Sequence, residues 1–113
     1  MSKNLYIPDK GDIAWLILDP RVGHEQSGRR PVLVLSPRLF TERTGLAVIC
    51  PITSKIKGLP FEVSLKKEKT VGAVLPMHIR SVDILARKAK FIEKASDISI
   101  SQTLQYIDVI TGR

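Results

Sequence analysis

Ile13-Ala14-Trp15-Leu16-Ile17-Leu18-Asp19-Pro20 and Pro31-Val32-Leu33-Val34-Leu35-Ser36-Pro37 contain two short apolar runs, each stopped by a polar residue and a proline. Apolar runs of this length, bounded by turn-forming residues, read as buried strands. Leu46-Ala47-Val48-Ile49-Cys50 repeats the pattern, and Pro51, which has no amide hydrogen to give a ladder, is expected to close it. Phe61-Glu62-Val63-Ser64-Leu65 alternates with period two, as a strand exposed on one face should. Further strand signals run from Gly72 to Met77, Ile79 to Ile84 and Ala89 to Ile92.

The period then changes. Beyond Ser96, Ile100, Leu104, Ile107 and Ile110 recur at spacings of three and four, the stripe of an amphipathic helix. Ser96 or Ser99 is placed to cap its start and Gly112 to stop it. A series of short strands followed by one helix predicts a mainly β fold, a small bent sheet or partly open barrel with a C-terminal α-helix over its open side. With 113 residues, no repeat and no linker, residues 1–113 read as a single domain. A chain of this size buries roughly two thirds of its unfolded surface, enough for one core but not for a deep enclosed cofactor cavity. Function is therefore expected in a groove or at an interface.

The longest apolar run falls far short of the ~20 residues of a membrane helix, so no membrane role is expected. Met1-Ser2-Lys3-Asn4-Leu5 lacks the features of a signal peptide, which points to the cytoplasm. Cys50 is the only cysteine, which excludes an internal disulfide, and one thiol with two histidines makes a poor structural metal site. The 18 Lys and Arg residues against 11 Asp and Glu give a net charge of +7, a field that attracts nucleic acid, acidic membrane or acidic protein without choosing among them. Between the first two strands lie twelve residues, Asp19 to Arg30, too long for a simple hairpin. Two glycines there bracket His24-Glu25-Gln26, and two arginines follow. Such a segment is either a solvated polar loop or a carrier of acid–base and phosphate-binding groups.

Gly23-His24-Glu25-Gln26-Ser27-Gly28-Arg29-Arg30-Pro31 resembles the MazF/PemK family of toxin endoribonucleases, matching every fixed position of the family's G-x-E-Q-x-G-x-R-P pattern. Gly11-Asp12 with Trp15, Pro51-Ile52-Thr53-Ser54, Lys57-Gly58 before Pro60-Phe61-Glu62-Val63, and Ile79-Arg80-Ser81-Val82-Asp83 extend the resemblance over nearly the whole chain. It implies an SH3-like (CcdB/PemK-type) β-barrel and a homodimer that binds single-stranded RNA. It further implies metal-independent cleavage with no cofactor, leaving 2′,3′-cyclic phosphate and 5′-hydroxyl ends, and inhibition by a cognate acidic antitoxin.

Such cleavage uses the RNA's own 2′-hydroxyl as nucleophile. The protein must accept its proton, stabilise the crowded phosphorane and help the 5′-oxygen leave. The resemblance gives the catalytic roles to Arg30 and Thr53. A guanidinium is a permanently charged fork for phosphate oxygens, and a hydroxyl at a strand end can donate to the same group. Taken alone, Arg30 reads as a partner for a carboxylate and Thr53 as a turn residue capping its own backbone. The acidic residue that part of the family places before the Ile-Arg-Ser strand is Met77 here, which cannot accept a proton. Glu25 and His24 are the remaining candidates for the base, with orientation of Arg30 as the other role for Glu25.

Arg21, Lys55, Lys57 and Arg80 are expected to track the phosphate backbone, and Gln26, Arg29, Ser54 and His78 to contact RNA beside them. Each also reads as an ordinary solvated residue. Trp15 and Phe61 are expected to pack in the core or on the sheet, Lys66-Lys67-Glu68-Lys69 to be a mobile connection, and 38–44 and 55–59 to be loops that set base preference. Two other readings remain open on the same barrel: a toxin that poisons DNA gyrase, as in the CcdB family, and a catalytically inactive nucleic-acid-binding protein.

Overall fold

The first apolar run forms β1 (Asp12–Ile17), in which Ile13, Ala14 and Leu16 are completely buried. Consecutive strand residues face opposite sides, so burial of both sides requires an unbroken apolar run rather than an alternating one. The computed structural model describes residues 5–18, 28–84 and 86–112. It continues with β2 (Arg29–Val34), helix α1 (Arg38–Thr44), β3 (Leu46–Thr53), β4 (Val63–Ser64) and β5 (Ala73–Val74). A 3-10 turn (Pro76–His78), β6 (Arg80–Asp83), β7 (Lys90–Lys94) and helix α2 (Asp97–Ile110) complete it.

Among the described residues the strands form one antiparallel sheet in the order β4-β5-β3-β2-β1-β7, and β6 also pairs with β3. β3 turns one edge to β2. Its other edge pairs with β6 from Leu46 to Ile49 and then with β5 at Ile52 and Thr53. This change of partner bends the sheet into the expected partly open barrel. Two apolar clusters cover its faces. Ile13, Leu33, Cys50 and Ile52 pack under Ile100, Leu104 and Ile107 of α2, while Leu16, Val32, Val34, Ala47, Ile49 and Val82 form the other cluster. Each fully buried aliphatic side chain contributes about 1.5–3 kcal/mol. Cys50 belongs to the first cluster, where burial pushes its thiol up to about 12.

Several expectations are corrected. β3 does not close at Pro51. The carbonyl of Pro51 accepts from the Leu75 amide (2.9 Å), so the donor that proline lacks would face Leu75, where β3 changes partner, and the β2 ladder loses nothing. Phe61 lies outside β4, in a turn with φ of 71°, and its exposed ring meets Tyr106 of α2 edge-on at 5.3 Å. The signal from Gly72 to Met77 divides into β5 and the 3-10 turn. In α2, Ser96 is the cap, its Oγ accepting from the Ser99 amide (3.2 Å), and Ile110 is an exposed end of the stripe rather than a core residue.

Residues 38–44 form α1 rather than a loop. Seven residues are too few to show a helical period, and Thr41 is the one buried residue among them. The helix is held from its ends. The Gly45 amide donates to the Thr41 carbonyl (2.8 Å) at a left-handed φ of 76°. The Asp9 carboxylate accepts from the Arg38 amide (2.8 Å) across 29 residues, and this bond, followed by that from the Lys10 amide, holds the Asp9 carboxyl below its ordinary range. The contribution of Asp9 is therefore complete at neutral pH and is lost as pH falls through that lowered value. Asp9→Ala should cost about 1 kcal/mol in urea unfolding at pH 7, with the difference from wild type shrinking in acid.

Candidate active site groove

β2 and β3 pair from Val34 opposite Ile49 to Val32 opposite Pro51, while the other edge of β3 passes from β6 to β5. Extending the same register two residues past the last pair would set Arg30 opposite Thr53. Alternation places both on the sheet side of Val32 and Ile49, and places Arg29, Pro31, Ile52 and Ser54 on the other. At this end of β2 and β3 is a groove of about 500 Å³, lined by Trp15, Arg29, Arg30, Pro31, Ile52, Ser54, Lys69, Thr70, Val71 and Ile92. Its floor is apolar and its rim cationic, a combination suited to bases and phosphates.

Arg30 is exposed and, among the described residues, held by no carboxylate. Thr53 is half-buried, and its Oγ1 accepts from the Lys55 amide (3.1 Å). That bond fixes the hydroxyl while leaving its proton to donate. Gly72 allows β5 to approach the Thr53 end of β3. A Cβ at Gly72 would lie 2.3 Å from the Thr53 carbonyl oxygen, and its φ of 142° is one that other residues rarely adopt.

Trp15 is not a core residue. It lines the groove with the Arg29 guanidinium 4.5 Å above its ring, a cation–π contact that orients the arginine. Arg29 and Arg30 both belong to β2 rather than to the loop before it. Ser54 and Arg29 line the groove. Lys55 and Lys57 are exposed after β3, outside the lining, and His78 is exposed at the end of the 3-10 turn rather than on a strand. Arg80 does not line the groove; its Nη2 donates to the Leu18 carbonyl (3.1 Å). Arg21, His24, Glu25 and Gln26 lie outside the described residues.

Sequence reasoning missed Arg87, whose Nη1 donates to the carbonyls of Ile17 (3.0 Å) and Leu18 (2.9 Å). With Leu18 N–H donating to Gly28 O (2.9 Å), these bonds close the base of the long connection. Nothing in Ala86-Arg87-Lys88 announces this role. The segment 66–69 is tied rather than mobile. The Ser96 amide donates to Glu68 Oε2 (2.7 Å), while Glu93 accepts from the amides of Lys69 (3.1 Å) and Thr70 (2.7 Å) and from the Thr70 hydroxyl (2.6 Å). Burial acts to raise the Glu93 pKa, but the Thr70 hydroxyl and the two amides outweigh it and hold the carboxyl below its usual range.

Residues 9–111 match the family described as PemK-like, MazF-like toxin of type II toxin-antitoxin system. The chain belongs to that family. It is 42% identical over 84 residues to the endoribonuclease toxin MazF of Escherichia coli K12, covering 74% of this chain and 76% of the relative. Against the endoribonuclease PemK of Escherichia coli it is 36% identical over 108 residues, covering 90% and 80%. The crystal structure of MazF from Deinococcus radiodurans is similar with a TM-score of 0.86 and 41% identity, covering 96% of this chain and all of that one. A MazE–MazF crystal structure from the same organism is similar with a TM-score of 0.84 and 37% identity, covering 96% and 98%. Family membership accounts for the mainly β sheet with a C-terminal helix. Among the described residues, no helix is long and apolar enough to cross a membrane.

Proposed function

We propose that this chain, an endoribonuclease toxin of the MazF/PemK type, cuts single-stranded RNA at short sequences in the cytoplasm, without a metal, by directing a ribose 2′-hydroxyl at the adjacent phosphodiester. What supports the reading is Arg30 on the lining of the groove and Thr53 at the end of β3, on the same side of the sheet by alternation. Arg30 binds the scissile phosphate and neutralises the charge that grows on its oxygens as the phosphorane forms. Thr53 donates to a second phosphate oxygen and fixes the angle of attack. The proton acceptor is carried by the connection between β1 and β2 as Glu25 or His24, or Glu25 orients Arg30. The attacking hydroxyl comes from the substrate, so DNA is not cut.

The active unit is a homodimer of single toxin domains, and the inhibitor is an acidic antitoxin drawn to the net charge of +7. The similarity to a MazE–MazF complex supports this pairing.

The test is digestion of a long mixed-sequence RNA in excess chelator, with sequencing of the fragment 5′ ends. The expected result is cleavage at one recurring short sequence, 5′-hydroxyl and cyclic-phosphate ends, and intact DNA of the same sequence. Chelator-sensitive cleavage or 5′-phosphate ends would overturn the mechanism. Intact RNA with gyrase-dependent DNA breaks would establish the gyrase reading instead, and tight RNA binding without product the inactive barrel.

A further inference from the structure

The β4–β5 connection supplies a whole wall of the groove, Lys69, Thr70 and Val71, yet it has no regular secondary structure of its own. What fixes that wall is a side chain from another strand. β7 pairs with β1 in a register that shifts, Ile13 opposite Glu93 and then Ala14 opposite Phe91, which leaves Ile92 as an extra residue. This is a β-bulge, and bulges re-aim side chains beside functional sites. Here the shift lets neighbouring residues serve one groove: Ile92 lines it while the Glu93 carboxylate reaches the wall. Its Oε1 accepts from the Lys69 amide, and its Oε2 from both the amide and the hydroxyl of Thr70.

We propose that Glu93 is a positioning residue for RNA, clamping Lys69–Thr70 so that the Lys69 ammonium and the Val71 side chain face the strand bound over Trp15 and Arg29. The proposal rests on the groove being the RNA site. Val71 is 78% exposed, an apolar side chain with no protein core to join, and a base face is a suitable cover for it. Lys69 is exposed beside it, and an ammonium suits a phosphate or acceptors on a base edge. An unclamped connection must be ordered by the RNA itself, which weakens apparent binding in proportion to the time spent in other conformations. Arg30 and Thr53 are carried by other strands, so the chemical step is untouched once RNA is bound.

Steady-state cleavage of an oligoribonucleotide containing the preferred site, with amide hydrogen exchange of the free protein, tests the assignment in Glu93→Ala and Glu93→Gln. Glu93→Ala removes every acceptor and should raise KM about tenfold, with kcat within about twofold of wild type and faster exchange at Lys69 and Thr70. Glu93→Gln keeps one carbonyl acceptor, so its KM should rise about threefold, and it serves as the folded comparison should the alanine variant not fold. An unchanged KM in Glu93→Gln beside an active wild type overturns the proposal alone, as does a fall in kcat with KM constant. Wild-type protein that leaves the oligoribonucleotide whole overturns the endoribonuclease reading and the proposal with it.

Discussion

Arg30→Ala should lower kcat/KM for RNA by a hundredfold or more while leaving the unfolding midpoint nearly unchanged. Loss of a donor aimed at developing transition-state charge costs about 2.7–4 kcal/mol in comparable oxyanion sites. Stability should move by no more than about 0.5 kcal/mol, because Arg30 is exposed and bound to no carboxylate among the described residues. Arg30→Lys keeps the charge and loses the planar fork, so it should recover only a small part of the activity. Single-turnover cleavage with circular dichroism as the folding control reads both effects. Full activity in Arg30→Ala would remove the guanidinium from the mechanism.

Gly72→Ala should be the most damaging methyl group added at Gly11, Gly45, Gly58, Gly72 or Gly112. The new Cβ would stand 2.3 Å from the Thr53 carbonyl oxygen, which is backbone and cannot rotate away, and a φ of 142° is strained for alanine besides. The two effects together should cost about 3 kcal/mol in denaturant unfolding. Relief requires β5 to move off β3 at the Ala73–Thr53 pair, so cleavage should fall too, even where the variant remains folded. Thr53→Ala separates the two contributions, since it deletes the hydroxyl without a clash and should reduce cleavage with little loss of stability. A Gly72→Ala protein as stable and active as wild type would mean that β5 does not brace the Thr53 end.

What the sequence disclosed follows from what is local. The runs at Ile13 and Pro31 read as buried strands because two covered faces demand continuous apolar residues, and the α2 stripe shows through because fourteen residues span several turns. α1 was hidden because one of its ends is capped by Asp9, far away in sequence. Pro51 misled because a missing donor matters only on the edge that needs it, and no single sequence reveals which edge that is. At the site, Arg30 and Thr53 can be named from motif resemblance, while their sharing a side of the sheet follows only from the β2–β3 register. Trp15 reads by its chemistry as a core or sheet-packing residue, although apolar residues also floor grooves. Glu93 gave no signal at all, since its role depends on a bulge and on residues 23 and 24 positions away.

The alternation along β2 has an outcome for what can be held there. Side chains at successive positions of an extended strand diverge, so Arg29 and Arg30 approach the one groove they both line from different directions. A pliable polyanion, one unit near Trp15 and the next along the rim, would meet both charges in turn.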